Sequence, residues 1–296
     1  LLLLVLLLIP GCQRNQQAGE VRYVVGQPYE IGGTWRYPRE NFAYDETGIA
    51  TQAASSTAAL TVNGEPNDQS ALIAQHRTLQ LPAIVRITNL ENGRQVVVRV
   101  NDRGPADPAR VIAVSRRTAD LLAPASRTAF RVRVQVLSEE SQRLANFLQN
   151  RPGAPPSPDL PRVAAAPRGG VSSEALAPPP GVAGRAPPPA APAPRASAPA
   201  SEAPEIPLRL PEAVTAVAPR PGQLAIECGR FGRLEYADVM RRRIARLNPR
   251  VTTDYNAPRD EAYIVRLGPF ATLAQAEANL REALAMGVPD ARIVLD

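Results

Sequence analysis

Lysine is absent from this chain, histidine occurs once, cysteine twice, and aromatic residues make up 4% of it. Each scarcity excludes something. A structural zinc ion needs four nitrogen or sulfur ligands, which His76, Cys12 and Cys228 cannot supply, so neither a metal nor another cofactor is expected. Because all 34 basic residues are arginine, the bias reflects a GC-rich coding sequence rather than a binding task. The net charge of +6 is spread thinly: 16 arginines meet 13 acids in residues 13–150, 7 meet 5 in 151–221, and 11 meet 10 in the remainder. No segment shows the arginine stripe with interleaved aromatics that a nucleic-acid surface needs, so no nucleic-acid partner is expected. The run from Leu1 to Ile9 is only nine apolar residues long, well short of the roughly 20 that cross a bilayer.

That run does have the length of a signal peptide's apolar core. On this reading the signal begins before residue 1, since Met occurs only at positions 240 and 286. The four residues after it, Ile9-Pro10-Gly11-Cys12, resemble a bacterial lipobox. The resemblance implies diacylation of Cys12 as the mature N-terminus; the alternative is ordinary secretion with a chance cysteine. Lipidation would leave Cys228 alone, so no intramolecular disulfide is required in an oxidising compartment. Gln13, in place of Asp, implies transfer to the outer membrane, facing the periplasm.

Prolines are abundant but segregated. Of the 32, 20 lie in residues 151–221, where there is no Phe, Trp or Tyr. Runs such as Pro178-Pro179-Pro180 favour extended polyproline II, spanning about 3.1 Å per residue. Composition therefore divides the chain into a signal and lipobox at 1–12, an N-terminal extension at 13–43 and an all-β module at 44–137. A short helix and a disordered Pro/Ala linker follow at 138–222, and a second folded module occupies 223–296.

In the first module, Ile84-Val85-Arg86-Ile87-Thr88-Asn89-Leu90 and the strand from Gln95 to Val100 flank an Asn92-Gly93 pair, predicting a hairpin with a type I′ turn. Arg131-Val132-Arg133-Val134-Gln135-Val136 alternates with period two, as a half-buried strand does. Ser115 can cap a short helix running to Leu122. Short strands separated by turns predict a small barrel. The last module repeats itself, Ile226-Glu227-Cys228-Gly229-Arg230-Phe231 being echoed by Val265-Arg266-Leu267-Gly268-Pro269-Phe270, each strand leading into a helix. Two such halves predict an α+β βαββαβ domain of ferredoxin-like form. Its first helix would align Ala237, Met240, Ile244 and Leu247, and its second opens with a Thr272/Gln275 capping box. Helices on one face leave the other open, and that face is expected to take a ligand.

Three ionisable residues stand out in the first module: Glu65 in Asn63-Gly64-Glu65, His76 in His76-Arg77-Thr78-Leu79, and Asp102 in Asn101-Asp102-Arg103-Gly104-Pro105. Alone, they read as a solvated turn residue, a satisfied core histidine and an Asx turn. Together with the segment from Val85 to Arg94 and the lead-in Tyr44-Asp45-Glu46-Thr47-Gly48-Ile49-Ala50, they resemble the double-psi β-barrel of the rare lipoprotein A family, septal lytic transglycosylases of the bacterial envelope. The C-terminal module resembles a SPOR domain, a binder of glycan strands stripped of stem peptides. The two resemblances cover residues 23–137 and 223–296. They imply Glu65, His76 and Asp102 as catalytic residues converging in one groove, and denuded peptidoglycan and septal division proteins as partners. Asn63 and Arg103 on the barrel, and Glu227, Arg230 and Tyr263 on the SPOR module, are the expected substrate contacts.

The implied reaction breaks the N-acetylmuramic acid to N-acetylglucosamine bond with the sugar's own C6 hydroxyl as nucleophile, giving a 1,6-anhydro end. One group must protonate the leaving oxygen and then deprotonate that hydroxyl; either Glu65 or Asp102 can be that acid while the other stays ionised, Asp102 being the favoured one, with His76 orienting or sharing the proton. Some positions depart from the family pattern. Residues 51–60 read TQAASSTAAL, without the family's aromatics, Ala113 stands where the family has Asp, and Glu227 stands where Gln is typical. These losses favour the alternative of a catalytically degenerate, glycan-binding envelope lipoprotein.

Overall fold

The computed structural model of the chain describes residues 20–123, 128–150, 210–256 and 260–296. Cys12 with its signal stretch, and the proline-rich linker at 151–209, lie outside the described residues.

The first module is a closed barrel. Its strands are β3 (Asp45–Gln52), β4 (Ile73–Gln75), β5 (Ala83–Asn89), β6 (Arg94–Asp102), β7 (Ile112–Val114) and β8 (Phe130–Val136). They pair in the order β4-β7-β3-β8-β5-β6, and β6 returns to β4 to close the ring. Both β3–β7 and β4–β6 are parallel, which places the end of β4 beside the end of β6 with Gln75 opposite Asp102. Period-two alternation drives the closure: along β8 the odd positions Val132 and Val134 are fully buried, and they meet Val85, Ile87, Val96 and Val98 in one core. Ser115 caps α1 (Arg116–Leu122) by accepting from the Thr118 amide at 3.2 Å, and Leu122 is fully buried.

The β5–β6 hairpin forms as expected, but its turn differs. Only Gly93 has positive φ, at 75°, so the four-residue connection 90–93 is not a type I′ turn, which would need two such residues. A Cβ on Gly93 would lie 1.8 Å from the Val217 carbonyl oxygen, because β9 (Val214–Ala216) pairs with β6 alongside. Residues 210–222, expected to be linker, therefore run along the barrel; the Val217 and Arg220 amides bond to Gly93 and Leu90 carbonyls. The helix expected at the start of the linker is α2 (Ser138–Asn150), anchored by the buried Ser141 hydroxyl on the Ile84 main chain.

The C-terminal module has the expected order: β10 (Leu224–Phe231), α3 (Leu234–Arg243), β11 (Arg250–Asn256), β12 (Asp260–Phe270), α4 (Leu273–Ala285) and β13 (Arg292–Leu295). The antiparallel sheet runs β11-β12-β10-β13. Thr272 and Gln275 make the capping box. The helical stripe holds through Ala237 and Met240, but α3 ends at Arg243, and Ile244 and Leu247 continue it through a short 3-10 turn.

The helix-free face of this sheet is not open, contrary to the expectation. Ala225, Glu227 and Val294 are buried, and β13 lies against the barrel's β3, where the Thr47 hydroxyl donates to the Leu295 carbonyl and accepts its amide at 2.9 and 2.8 Å. Arg292 joins Glu46 of the barrel at 2.6 Å to Glu227 of the sheet at 2.7 Å, and Arg110 reaches Glu277 at 2.6 Å. A barrel strand can cover this face because the face presents charged residues of complementary sign.

Candidate active site and the cleft beside it

Glu65 sits in a tight loop that requires Gly64, whose φ is 90° and whose added Cβ would meet the Glu20 carbonyl oxygen at 2.4 Å. Its carboxylate is 3% exposed and saturated with partners: Asn63 Nδ2 donates to Oε1, Asn101 Nδ2 to Oε2, both at 3.0 Å, and Arg99 lies 3.2 Å away as counter-charge. A buried carboxylate is tolerated only when paired and hydrogen-bonded in this way. Asn63 spends its own oxygen on the Thr61 hydroxyl and the Glu65 amide, so it holds Glu65 in place rather than facing solvent.

His76 follows β4 and is 4% exposed. Its Nδ1 accepts from the Thr78 and Leu79 amides at 3.2 and 3.1 Å, which leaves the proton on Nε2, donated to Tyr44 Oη at 3.0 Å. Tyr44 in turn donates to Glu46 at 3.1 Å. Burial, reinforced by the neighbouring Arg77 and Arg103 charges, lowers the His76 pKa to about 3, so the ring is neutral. Burial also holds the Tyr44 phenol well above its ordinary pKa, with the Glu46 charge adding to the effect.

Asp102 ends β6 half-buried. Oδ1 accepts from the Val62 amide at 3.1 Å and Oδ2 from Gln75 Nε2 at 3.0 Å. Gly104 makes room for Gln75, since a Cβ there would lie 2.9 Å from Gln75 Oε1. Asp102, Gln75 and Asn101 line a cavity of about 10 Å³, room for about one water. Asn101 Oδ1, buried at its edge, has no partner among the described residues.

The three side chains are thus neighbours through intermediaries. The His76 amide donates to the Asp102 carbonyl at 3.0 Å, and Asn101 connects Glu65 to the residue beside it, Asp102. No direct side-chain bond joins Glu65, His76 and Asp102 among the described residues. Glu65 lines neither the cavity beside Asp102 nor the large cleft into which His76 faces.

That cleft, about 400 Å³, holds what the sequence reading missed. The N-terminal extension forms a hairpin of β1 (Tyr29–Ile31) and β2 (Thr34–Arg36) around Gly32 and Gly33, both of positive φ, the pairing a two-residue turn favours. Tyr29 Oη pins it to the Arg77 carbonyl at 2.8 Å. It delivers Trp35, 57% exposed, and is followed by Tyr37, 65% exposed, both lining the cleft with Arg36, Arg39, Arg77 and Arg110. These exposed aromatics stand at a different cavity from the one beside Asp102 that Ala53 lines. The only available signal was Thr34-Trp35-Arg36-Tyr37, which carries the chain's single tryptophan.

The other expected contacts are occupied within the protein. Arg103 donates to the main-chain carbonyls of Leu79, at 2.5 Å, and Val25, clasping the N-terminal segment to the loop after His76. Arg230 pairs with Asp254 at 2.8 Å, and Tyr263 packs against the helix-side core. Glu227, 6% exposed, is held by Arg292 and faces a second cavity of about 590 Å³ with Glu46, Arg133 and Arg266. Among the described residues no group of three His, Cys, Asp or Glu side chains could hold a metal ion.

Fold and site define a class: residues 44–134 match the lytic transglycolase family model for a double-psi barrel, and residues 221–293 match the SPOR domain. Proteins named endolytic peptidoglycan transglycosylase RlpA are similar to part of this chain. The Yersinia pestis protein is 45% identical over 33% of this chain and 28% of its own length, and the Rickettsia felis protein is 34% identical over 43% and 57%. The Escherichia coli protein is 37% identical over 38% and 32%. The chain thus pairs a lytic transglycolase double-psi barrel with a SPOR domain, and over part of its length it is similar to proteins named RlpA. The matches span little more than half of the curated relatives at most. A Streptomyces papain inhibitor aligns over 98% of its own length at 20% identity with a TM-score of 0.28, a likeness too slight to bear on function.

Proposed function

We propose that this chain is an endolytic peptidoglycan lytic transglycosylase with Asp102 as its acid/base. The observation that carries the reading is the placement of Asp102: half-buried at the barrel's end, oriented by the Val62 amide and Gln75, and beside the unpartnered Asn101 Oδ1. The protonated carboxyl would give its proton to the leaving oxygen as the C1–O bond breaks. The resulting carboxylate would take the proton from the C6 hydroxyl as O6 bonds to C1, which returns the acid without consuming water. Glu65 acts as a positioning residue, holding Asn101 and balanced by Arg99. Neutral His76 fixes the Tyr44–Glu46 chain and, through its amide, the Asp102 carbonyl.

On this reading the substrate is glycan lacking stem peptides, and the barrel works in wall remodelling and septation among division proteins. The modules are the barrel at 44–137 and the SPOR domain at 223–296. The lipobox-like sequence supports attachment through Cys12 to the outer membrane, with both modules in the periplasm. A binding-only barrel is the second reading, favoured by Ala113, whose buried methyl sits opposite Gln75 where the family has a carboxylate.

Amidase-treated sacculi incubated with the soluble chain decide between them. Mass spectrometry should show 1,6-anhydro products that disappear in Asp102→Asn. Absence of products from the parent chain favours the binding-only reading, and products persisting in Asp102→Asn mean that the acid lies elsewhere.

A further inference from the structure

Five arginines line the large cleft, against the carboxylates of Glu46 and Asp290. Arg110 and Arg292 are committed to carboxylate partners. Arg36 and Arg77 are not: among the described residues neither makes an ion pair, Arg77 donates to the Asp107 carbonyl at 3.1 Å, and Arg36 Nε is buried without a partner. Burial, with Arg36 adding to it, lowers the Arg77 pKa to about 10; burial also lowers that of Arg36, which Asp290 partly offsets. Two guanidiniums held half-buried and mutually repelling are a site built for an anion. A planar arginine fork matches the geometry of a carboxylate. Trp35 and Tyr37 stand exposed at the same cleft, and amphipathic rings of this kind give a sugar an apolar face to lie on.

We propose that Trp35, Arg36 and Arg77 form a subsite for a carboxylate-bearing sugar, with the rings stacking on the pyranose and the guanidiniums taking the acid. This rests on the peptidoglycan reading, which supplies such a sugar: N-acetylmuramic acid carries a lactyl group whose carboxylate is free once the stem peptide is removed and is an amide while the peptide remains. The cleft therefore reads the chemical mark of a denuded strand.

Binding is measured by calorimetry with the full chain carrying Asp102→Asn, so that cleavage does not intervene. The probes are a tetrasaccharide of alternating N-acetylglucosamine and N-acetylmuramic acid with free lactyl carboxylates, the same compound as lactyl methylamides, and chitotetraose. The free acid should bind about tenfold tighter or more than the methylamide, the worth of one charged hydrogen-bond pair. Arg36→Gln should abolish that preference, and Trp35→Ala should weaken all three probes. Equal affinity for acid and amide overturns the proposal. So does a preference that survives Arg36→Gln, which would place acid recognition elsewhere. Because both results are read in a chain that does not cleave, they are separate from failure of the parent chain to make anhydro products.

Discussion

The cavity beside Asp102 holds only about 10 Å³ and is lined by small apolar, amide and hydroxyl side chains, whereas the cleft beside His76 is about 400 Å³, cationic and flanked by aromatics. Yet Gln75, which orients Asp102, and His76 are consecutive residues. A strand sends successive side chains to opposite faces, so the end of β4 divides between the two: Gln75 meets Asp102 at the small cavity, and His76 lines the large cleft. Groups that move protons need few, fixed partners, while groups that select a polymer need area and charge.

Changes at the two places should separate that division. The largest effect is expected at Asp102, where Asn should lower formation of anhydro products by about 10²–10⁴-fold, the usual worth of a general acid/base, with saccharide affinity retained. Glu65→Gln comes next. It leaves Arg99 buried without its counter-charge and should cost about 3–5 kcal/mol in urea unfolding; Glu65→Gln with Arg99→Met should recover part of that, since both charges then leave together.

His76 sharpens the comparison through pH. Its pKa is about 3 in the fold and about 6.5 in the unfolded chain. Between those values the unfolded state binds the extra proton, so stability is full above about pH 6.5 and falls on acidification, by about 1.4 kcal/mol per pH unit. His76→Gln should flatten the acid side of a plot of unfolding midpoint against pH; an unchanged slope would mean that the ring is protonated in the fold. The smallest effect is expected for Glu46→Gln, which removes a partly exposed ion pair with Arg292 worth about 1 kcal/mol. Its signature should be faster hydrogen exchange in β13 with no change in β5 or β6.

Much of the architecture was legible in the sequence because it rests on short-range patterning. The alternation of β8, the Ser115 cap, the Thr272/Gln275 box and the repeated strand-helix halves all reappear in the structure. Local periodicity determines which face of an element is apolar. It carries less information about loops, which is why the 90–93 turn was expected in the wrong class: the loop length and β9, not the Asn-Gly pair alone, set it.

By itself, then, the sequence determined two modules, their strand and helix content, and the identities of the polar residues placed at the barrel's end. Tertiary structure alone decided that Glu65 is buried against Arg99, that Asp102 and His76 face different cavities, that Trp35 comes from the N-terminal hairpin, and that β3 covers the SPOR sheet's free face. The reason is physical. The Glu46–Arg292 pair joins residues 246 positions apart. Such contacts follow from strand order and register, which emerge only when the whole chain has closed on itself.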